Sequence, residues 1–82
     1  MYSIIFNPFA EKQLKKLDNN LQIRILDVLN RIRIRPHHFV KRLIGSPYFR
    51  LRVGDYRIIL DIQNDKLVIV VVELGHRKNI YD

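Results

Sequence analysis

The 82-residue chain reads as an α+β domain: a strand, two helices, and then three strands of a mostly antiparallel four-stranded sheet. Three observations carry that reading. A β-rich segment, Tyr2 to Phe6, is closed by Asn7-Pro8, a helix-start pair. Leu21, Ile25, Val28, Leu29 and Ile32 recur at the spacing of one helical face. Tyr48 to Leu60 then switches to period two, apolar and basic in alternation, about a Gly54-Asp55 turn. The order β-α-α-β-β-β follows, with an N-terminal helical hairpin packed on the sheet. A chain of this length has room for one core, so residues 1–82 are expected to form a single domain.

Taken in order, Tyr2-Ser3-Ile4-Ile5-Phe6 is rich in β-formers and opens the chain as a strand. Asn7 suits the N-cap, and Pro8 the first helical position, where a missing N–H costs nothing. Ala10, Leu14, Leu17 and Leu21 recur at helical spacing, with Lys12, Lys15 and Lys16 turned elsewhere. Asp18-Asn19-Asn20 breaks this helix and caps the next, which is expected from about Asn20 to Arg35. Pro36 closes it, because the residue before a proline avoids helical angles. So short a break implies an antiparallel helical pair. Arg24, Arg31 and Arg35 fall close together away from the apolar face. They are either a solvated face, the commoner case, or an extension of a phosphate-binding surface.

Pro36 to Pro47 reads as an irregular loop. His37 and His38 are adjacent, so they point in different directions, and no acid or third histidine lies near in sequence; a surface loop is expected rather than a metal site. In the hairpin that follows, a two-residue Gly54-Asp55 loop sets Val53 opposite Tyr56, Arg52 opposite Arg57 and Leu51 opposite Ile58. Phe49, Leu51, Val53, Tyr56, Ile58 and Leu60 then share one face, and Arg50, Arg52 and Arg57 the other. Like charges opposite each other destabilise a sheet. Three arginines on one side therefore imply an anion from outside the chain, for which a polyphosphate backbone is the obvious candidate. Asn64-Asp65 reads as a second two-residue turn leading into Lys66 to Leu74, which is apolar at nearly every position and so expected to be covered on both faces. That register sets Val68, Val70 and Val72 beside Ile59 on the arginine side. The face is then half basic groove and half apolar patch, the patch being either a partner's landing site or covered by the chain's own loop or tail.

Charge supports an anionic partner. Fifteen Lys and Arg against eight Asp and Glu give +7, and residues 1–60 hold 12 of the basic groups against 4 of the acidic ones. A basic domain of this size meets nucleic acid or an acidic protein. Charge for solubility alone is the blander reading, and the arginines' position on a folded hairpin favours the functional one. With no cysteine, disulfide frameworks and thiolate zinc sites are excluded, which fits a reducing compartment. Met1 runs almost directly into an apolar segment with no basic n-region or cleavage site, so no signal peptide is expected. The longest apolar run, Leu67 to Val72, falls far short of the ~20 residues of a membrane span. A cytoplasmic location without membrane contact is expected.

The tail, Gly75-His76-Arg77-Lys78-Asn79-Ile80-Tyr81-Asp82, holds a His, an Arg, a Lys and a Tyr. Lys41-Arg42-Leu43 before Gly45, then Tyr48-x-Arg50-x-Arg52-Val53-Gly54-Asp55-Tyr56-Arg57, then Gly75-His76-Arg77 ending in Tyr81, resembles the RelE toxins of the RelE/ParE superfamily. The element order matches over the whole chain, and the length resembles the short archaeal-type members. The resemblance implies a RelE-like, microbial-RNase-like fold. It implies the toxin of a type II toxin–antitoxin system, a ribosome-dependent mRNA endoribonuclease (mRNA interferase) that inhibits translation. Its partners would be a cognate RelB-like antitoxin and the ribosomal A site with its mRNA. Neither metal nor cofactor is implied: the substrate's 2′-OH attacks the adjacent phosphate, leaving a 2′,3′-cyclic phosphate and a 5′-OH.

By the same resemblance, Arg50 and Arg52 match the two basic positions on the hairpin's first strand, and Arg57 the phosphate-clamping arginine. Arg77 matches the residue that serves the leaving group, and Tyr81 the terminal tyrosine that stacks on a base. Lys41, Arg42, Arg31 and Arg35 extend the expected phosphate-binding set. Ile59, Val68, Val70 and Val72, with Arg50, are expected to meet the antitoxin, an acidic, partly disordered segment that folds on binding. The antitoxin acts by covering this face or by displacing the tail. One departure matters: the family's best-known pattern has lysines where this chain has Arg50 and Arg52. A guanidinium stays charged, so Arg52 is a good clamp and a poor base. The base is then His76, with Tyr81 behind it, or there is none and electrostatic stabilisation with alignment on the ribosome carries the reaction. The second is preferred, since His76 beside Arg77 on a strand would point away. The competing readings are a DNA gyrase inhibitor of the ParE branch, which cuts no RNA, and a passive RNA-binding domain. Arg77 and Tyr81 together favour the nuclease.

Overall fold

Capping residues set where the helices begin, and the computed structural model, which describes residues 1–76, bears this out. Strand β1 (Ser3–Phe6) is followed by α1 (Pro8–Lys15) and α2 (Asn19–Ile32). Asn7 Oδ1 accepts a hydrogen bond from the Ala10 N–H at 2.7 Å, with Pro8 opening the helix. Asp18 Oδ1 accepts from the Leu21 N–H at 2.8 Å. Each cap contributes about 1 kcal/mol. Helix α2 ends at Ile32, short of the expected Arg35, because β1 rather than Pro36 sets its end. The Tyr2 N–H donates to Arg33 O at 2.9 Å, and Arg33 Nε donates back to Tyr2 O at 2.7 Å. Arg33 Nη1 also donates to Asn30 Oδ1 at 3.0 Å, so one arginine joins the helix end to the strand.

After a 3₁₀ turn (Pro36–His38) come β2 (Lys41–Arg42), β3 (Phe49–Val53), β4 (Tyr56–Gln63) and β5 (Val68–His76). The sheet order is β1-β5-β4-β3-β2, with β1 parallel to β5 and the other pairs antiparallel. The class and element order are those expected. The strand count is five rather than four, because the two residues of β2 pair with β3 (Lys41 with Arg50, Arg42 with Phe49).

Both helices pack on one face of the sheet. Ala10, Leu14, Ile25, Leu29 and Ile32 meet Leu51, Val53, Ile58, Leu60, Ile69, Val71 and Leu74, alternate residues of β3, β4 and β5. Cutting a fully buried member such as Leu60 back to alanine should cost about 2–5 kcal/mol. Beyond Val71, β5 has no strand on its β1 side among the described residues, since the chain has already turned into α1. Gln13 Oε1 fills that edge by accepting from the Leu74 N–H at 2.8 Å.

The β3–β4 hairpin has the expected register, with Arg52 opposite Arg57. Gly54 takes φ +59° at the first turn position, the conformation a II′ turn requires there. The second turn differs from expectation. Gln63 pairs with Val68, so the loop is residues 64–67 rather than Asn64-Asp65 alone, and β5 begins at Val68 rather than Lys66. Its last residue, Leu67, lies at φ +54°, and Leu67 O accepts from the Ser3 N–H at 2.9 Å. A loop longer by two keeps the pairing parity, so Val68 and Val70 still lie on the arginine side. Farther along, the register shifts between Ile59 and Leu60: Leu60 faces Val71 and Ile59 faces Glu73, leaving Val72 as the extra residue of a β-bulge.

Candidate nucleic-acid interface

The sheet face away from the helices is composed by strand parity. One row across it reads Lys41, Arg50, Ile59, Glu73, and the next Arg52, Arg57, Gly75. Toward β1 the rows turn apolar and neutral: Asp61, Val70, Ile5, then Gln63, Val68, Ser3. Cation thus stands opposite cation twice, in Lys41–Arg50 and Arg52–Arg57. Directly opposed Cα atoms on antiparallel strands lie about 4.5–5.5 Å apart. Two charges at that separation repel by roughly 1–3 kcal/mol near a protein surface before the side chains splay. A phosphate between them reverses the sign of that term. Arg52 is exposed and has no hydrogen-bond or ion-pair partner among the described residues. A groove of about 210 Å³ opens on this face, lined by Phe39, Lys41, Arg50 and Arg52.

The structure brings together Arg50, Arg52, Arg57 and Lys41, and sets Arg42, Arg31 and His76 apart from them. Arg42, one residue past Lys41, turns to the other side, where its guanidinium lies 5.7 Å from the Phe49 ring centroid. Arg31 is on α2, behind the sheet, in an exposed pair with Asp27 at 2.7 Å. Arg35 follows α2, before the 3₁₀ turn. Arg24 sits against the hairpin: a methyl group on Gly54 would come within 3.2 Å of Arg24 Nη1. His76 pairs with Tyr56, ring centroids 5.6 Å apart, in the row of the core residue Val53 and so on the side away from Arg57. His37 is at the surface, its Nε2 2.9 Å from Asn64 Oδ1 and its ring edge-on to Phe49. Arg77 and Tyr81 lie outside the described residues. Among the described residues no group of three or more His, Asp or Glu is arranged to hold a metal, and no helix is long and apolar enough to cross a membrane.

The apolar half of the face also needs correcting. Ile59 is only 6% exposed, set in the middle strand between Arg50 and Glu73, so it is not offered to a partner as expected. Val68 and Val70 are half-buried, and among the described residues no helix covers them; cover by the tail, the other arrangement expected, lies outside the described residues. Ile5, 49% exposed and opposite Val70, supplies the missing apolar surface. Val72 occupies the bulge, and Val72 and Glu73 both fall between the core residues Val71 and Leu74. Sequence reasoning missed Ile5, Glu73 and Phe39. Only Glu73 carried a signal, as the one acid in an otherwise apolar strand.

Comparison with known proteins agrees with this architecture. Among solved structures, a chain of the toxin–antitoxin complex RelBE2 from Mycobacterium tuberculosis superposes with TM-score 0.83 at 23% identity, over 93% of this chain and 98% of that one. The archaeal RelE–RelB complex of Pyrococcus horikoshii gives TM-score 0.80 at 26% identity, over 96% and 98%. The isolated RelE toxin of E. coli gives 0.82 at 22%, over 93% and 84%. No curated protein sequence matches significantly. A family model described as the ParE toxin of the type II toxin–antitoxin system parDE matches residues 4–81. Nearly the whole chain is thus accounted for, and it belongs to this family of type II toxins, within the RelE/ParE superfamily and with the RelE-type fold.

Proposed function

We propose that this toxin cuts mRNA on the ribosome without a metal, using the RNA's own 2′-OH as nucleophile. The observation that carries the reading is the Arg52–Arg57 pair, opposite Gly75 and next to Arg50, on the side of the sheet away from the helices. In the reaction the 2′-oxygen bonds to phosphorus as the P–O5′ bond breaks. The 2′-OH gives its proton to solvent water, the 5′-oxygen takes one from water, and negative charge builds on the non-bridging oxygens. Two guanidiniums held in register stabilise that charge without rearranging, an effect worth about 10²–10³ in rate for each such donor. Glycine at position 75 leaves the phosphate's approach to Arg57 free of a side chain. Arg77 serves the leaving oxygen and Tyr81 stacks on a base, as the family resemblance implies. No arginine acts as a base, and His76 belongs to the row on the other side. Alignment of the 2′-oxygen with the scissile bond then does the base's share of the work, and the ribosome supplies that alignment, which is why free RNA is a poor substrate.

The solved relatives include RelB–RelE complexes, and a RelB-like antitoxin fits the same face here. Its apolar residues would lie on Ile5, Val68 and Val70 and its carboxylates over Arg50 and Arg52, in the cytoplasm where mRNA is translated.

Primer extension on a reporter mRNA tests the reading, with the purified protein added to RNA alone and to translating ribosomes. Cuts only with ribosomes, lost in the Arg77→Ala/Tyr81→Phe double variant, are expected. The His76→Gln variant should keep cutting to within about threefold, the small change expected of a group off the reaction path; abolished cutting with ribosome binding intact would show that a base is needed after all. A second reading is favoured by the family model's ParE description over residues 4–81. Inhibition of gyrase supercoiling with no RNA cut would establish that alternative.

A further inference from the structure

Phe39 ends the 3₁₀ turn Pro36–His38, where its N–H donates to Pro36 O at 3.1 Å. The next residue, Val40, packs against the core, whereas the Phe39 ring stays 52% exposed. No aromatic or cationic partner among the described residues uses the ring. The nearby Phe49 has His37 edge-on and Arg42 over its ring, but among the described residues no ring or cation contacts Phe39. Instead Phe39 forms one wall of the 210 Å³ groove whose other walls are Lys41, Arg50 and Arg52. At ~30 Å³ per water that volume holds about seven waters, room for one flat nucleobase. Arg50 and Arg52 are two residues apart on β3, an advance of about 7 Å, and Lys41 stands directly opposite Arg50.

An exposed aromatic ring in a groove otherwise made of cations matches one ligand chemistry: a planar base joined to phosphates. We propose that this groove is a nucleobase subsite, in which Phe39 stacks on one base of single-stranded RNA while Lys41, Arg50 and Arg52 hold the phosphates beside it. The proposal rests on the RNA-directed reading of the basic face and adds which part of the nucleotide is gripped, and by what. The subsite neighbours the Arg52–Arg57 pair, so the stacked base belongs to a nucleotide next to the one whose phosphate is clamped. Every base has a π-face, so stacking here enforces position rather than sequence.

The test is the affinity of the full chain for a short fluorescently labelled RNA, read by anisotropy at low salt. Wild type, Phe39→Ala and Phe39→Trp are each titrated with the intact oligonucleotide and with a set in which a single position is abasic. Phe39→Ala should weaken binding of intact RNA about tenfold, or ~1.4 kcal/mol, within the range for one stacked base. One abasic position should weaken wild-type binding by a similar factor and leave the alanine variant no weaker, while Phe39→Trp restores wild-type affinity. Unchanged affinity in Phe39→Ala overturns the subsite. So do losses that multiply at every abasic position, or a wild-type chain that binds none of the RNAs. Cleavage is not read here, so a chain that binds this way but cuts nothing on ribosomes keeps the subsite and loses the nuclease reading. A chain that cuts on ribosomes while Phe39→Ala binds as wild type loses the subsite alone.

Discussion

Two sets of arginines divide the molecule. Those of α2 and its end are engaged by the fold: Arg33 joins helix to strand through Tyr2 and Asn30, Arg31 pairs with Asp27, and Arg24 packs against the Gly54 turn. Those of the hairpin stand directly opposite other cations. Arg52 faces Arg57 and Arg50 faces Lys41 across neighbouring strands, an arrangement that raises the energy of the folded state. The difference teaches that arginine number and exposure do not mark a binding face. What marks it is the opposing residue: an acid for Arg31 and carbonyl oxygens for Arg33, another cation for the hairpin arginines.

The comparison breaks most visibly at Arg57. If the hairpin arginines stabilise reaction charge, Arg57→Ala should lower ribosome-dependent cutting by about 10²–10³ while thermal unfolding stays close to wild type. Cutting within a few-fold of wild type would reduce the opposed pair to a binding patch. Next in size is charge reversal at Arg50 and Arg52 together. Association with the antitoxin should weaken by about ten- to a hundredfold, mostly through a slower on-rate that salt suppresses in wild type. Equal association in the reversed variant would assign the antitoxin to the apolar half, Ile5, Val68 and Val70, alone.

That division was partly legible in the residues. Alternation from Tyr48 to Leu60 about a glycine turn leaves one register, and with it the Arg52–Arg57 pair. Asn7-Pro8 and Asp18 announced both helix starts through local hydrogen bonds that any such sequence makes. The second turn was not legible, because a leucine at positive φ has no residue-type signal; Leu67 is held there by its bond to Ser3, a partner more than sixty residues away. The bulge was hidden for another reason. In a run of valines no alternation exists to be interrupted, so the exchange of Val72 for Glu73 beside Ile59 left no trace but the acid itself. The β2 strand, two residues long, has no period to read. Arg33 was indistinguishable from its helical neighbours because its partners, Tyr2 O and Asn30, are fixed only by the tertiary fold.

Arg33 is the place to sharpen the helix side. Arg33→Met keeps the stem and removes both hydrogen bonds, leaving the half-buried Tyr2 carbonyl without its guanidinium donor. Lost bonds of this kind cost about 1–2 kcal/mol. For a chain of this length that lowers the melting temperature by roughly 4–16 °C. Cutting by the folded fraction should be unchanged, measured below the transition. A variant that melts normally but cuts poorly would mean that Arg33 belongs with the hairpin set.

Arg31 gives the smallest effect and the cleanest discrimination. Its pair with Asp27 is short, 2.7 Å, but both side chains are about two-thirds exposed (67% and 65%), so water screens it. Exposed pairs four residues apart on a helix contribute about 0.3–0.5 kcal/mol. Arg31→Ala should therefore shift stability by no more than that. Because α2 lies behind the sheet, the variant should leave unchanged the slope of log affinity for single-stranded RNA against log salt. Arg52→Gln, by contrast, should make that slope shallower by about 0.7, the value for one phosphate contact on a single strand. The two measurements share one protein, one RNA and one titration, so they separate a solvated helix charge from a phosphate ligand without reference to cutting. An Arg31→Ala slope that falls as far as that of Arg52→Gln would extend the RNA path around the molecule onto α2, and the division into two sets would fail.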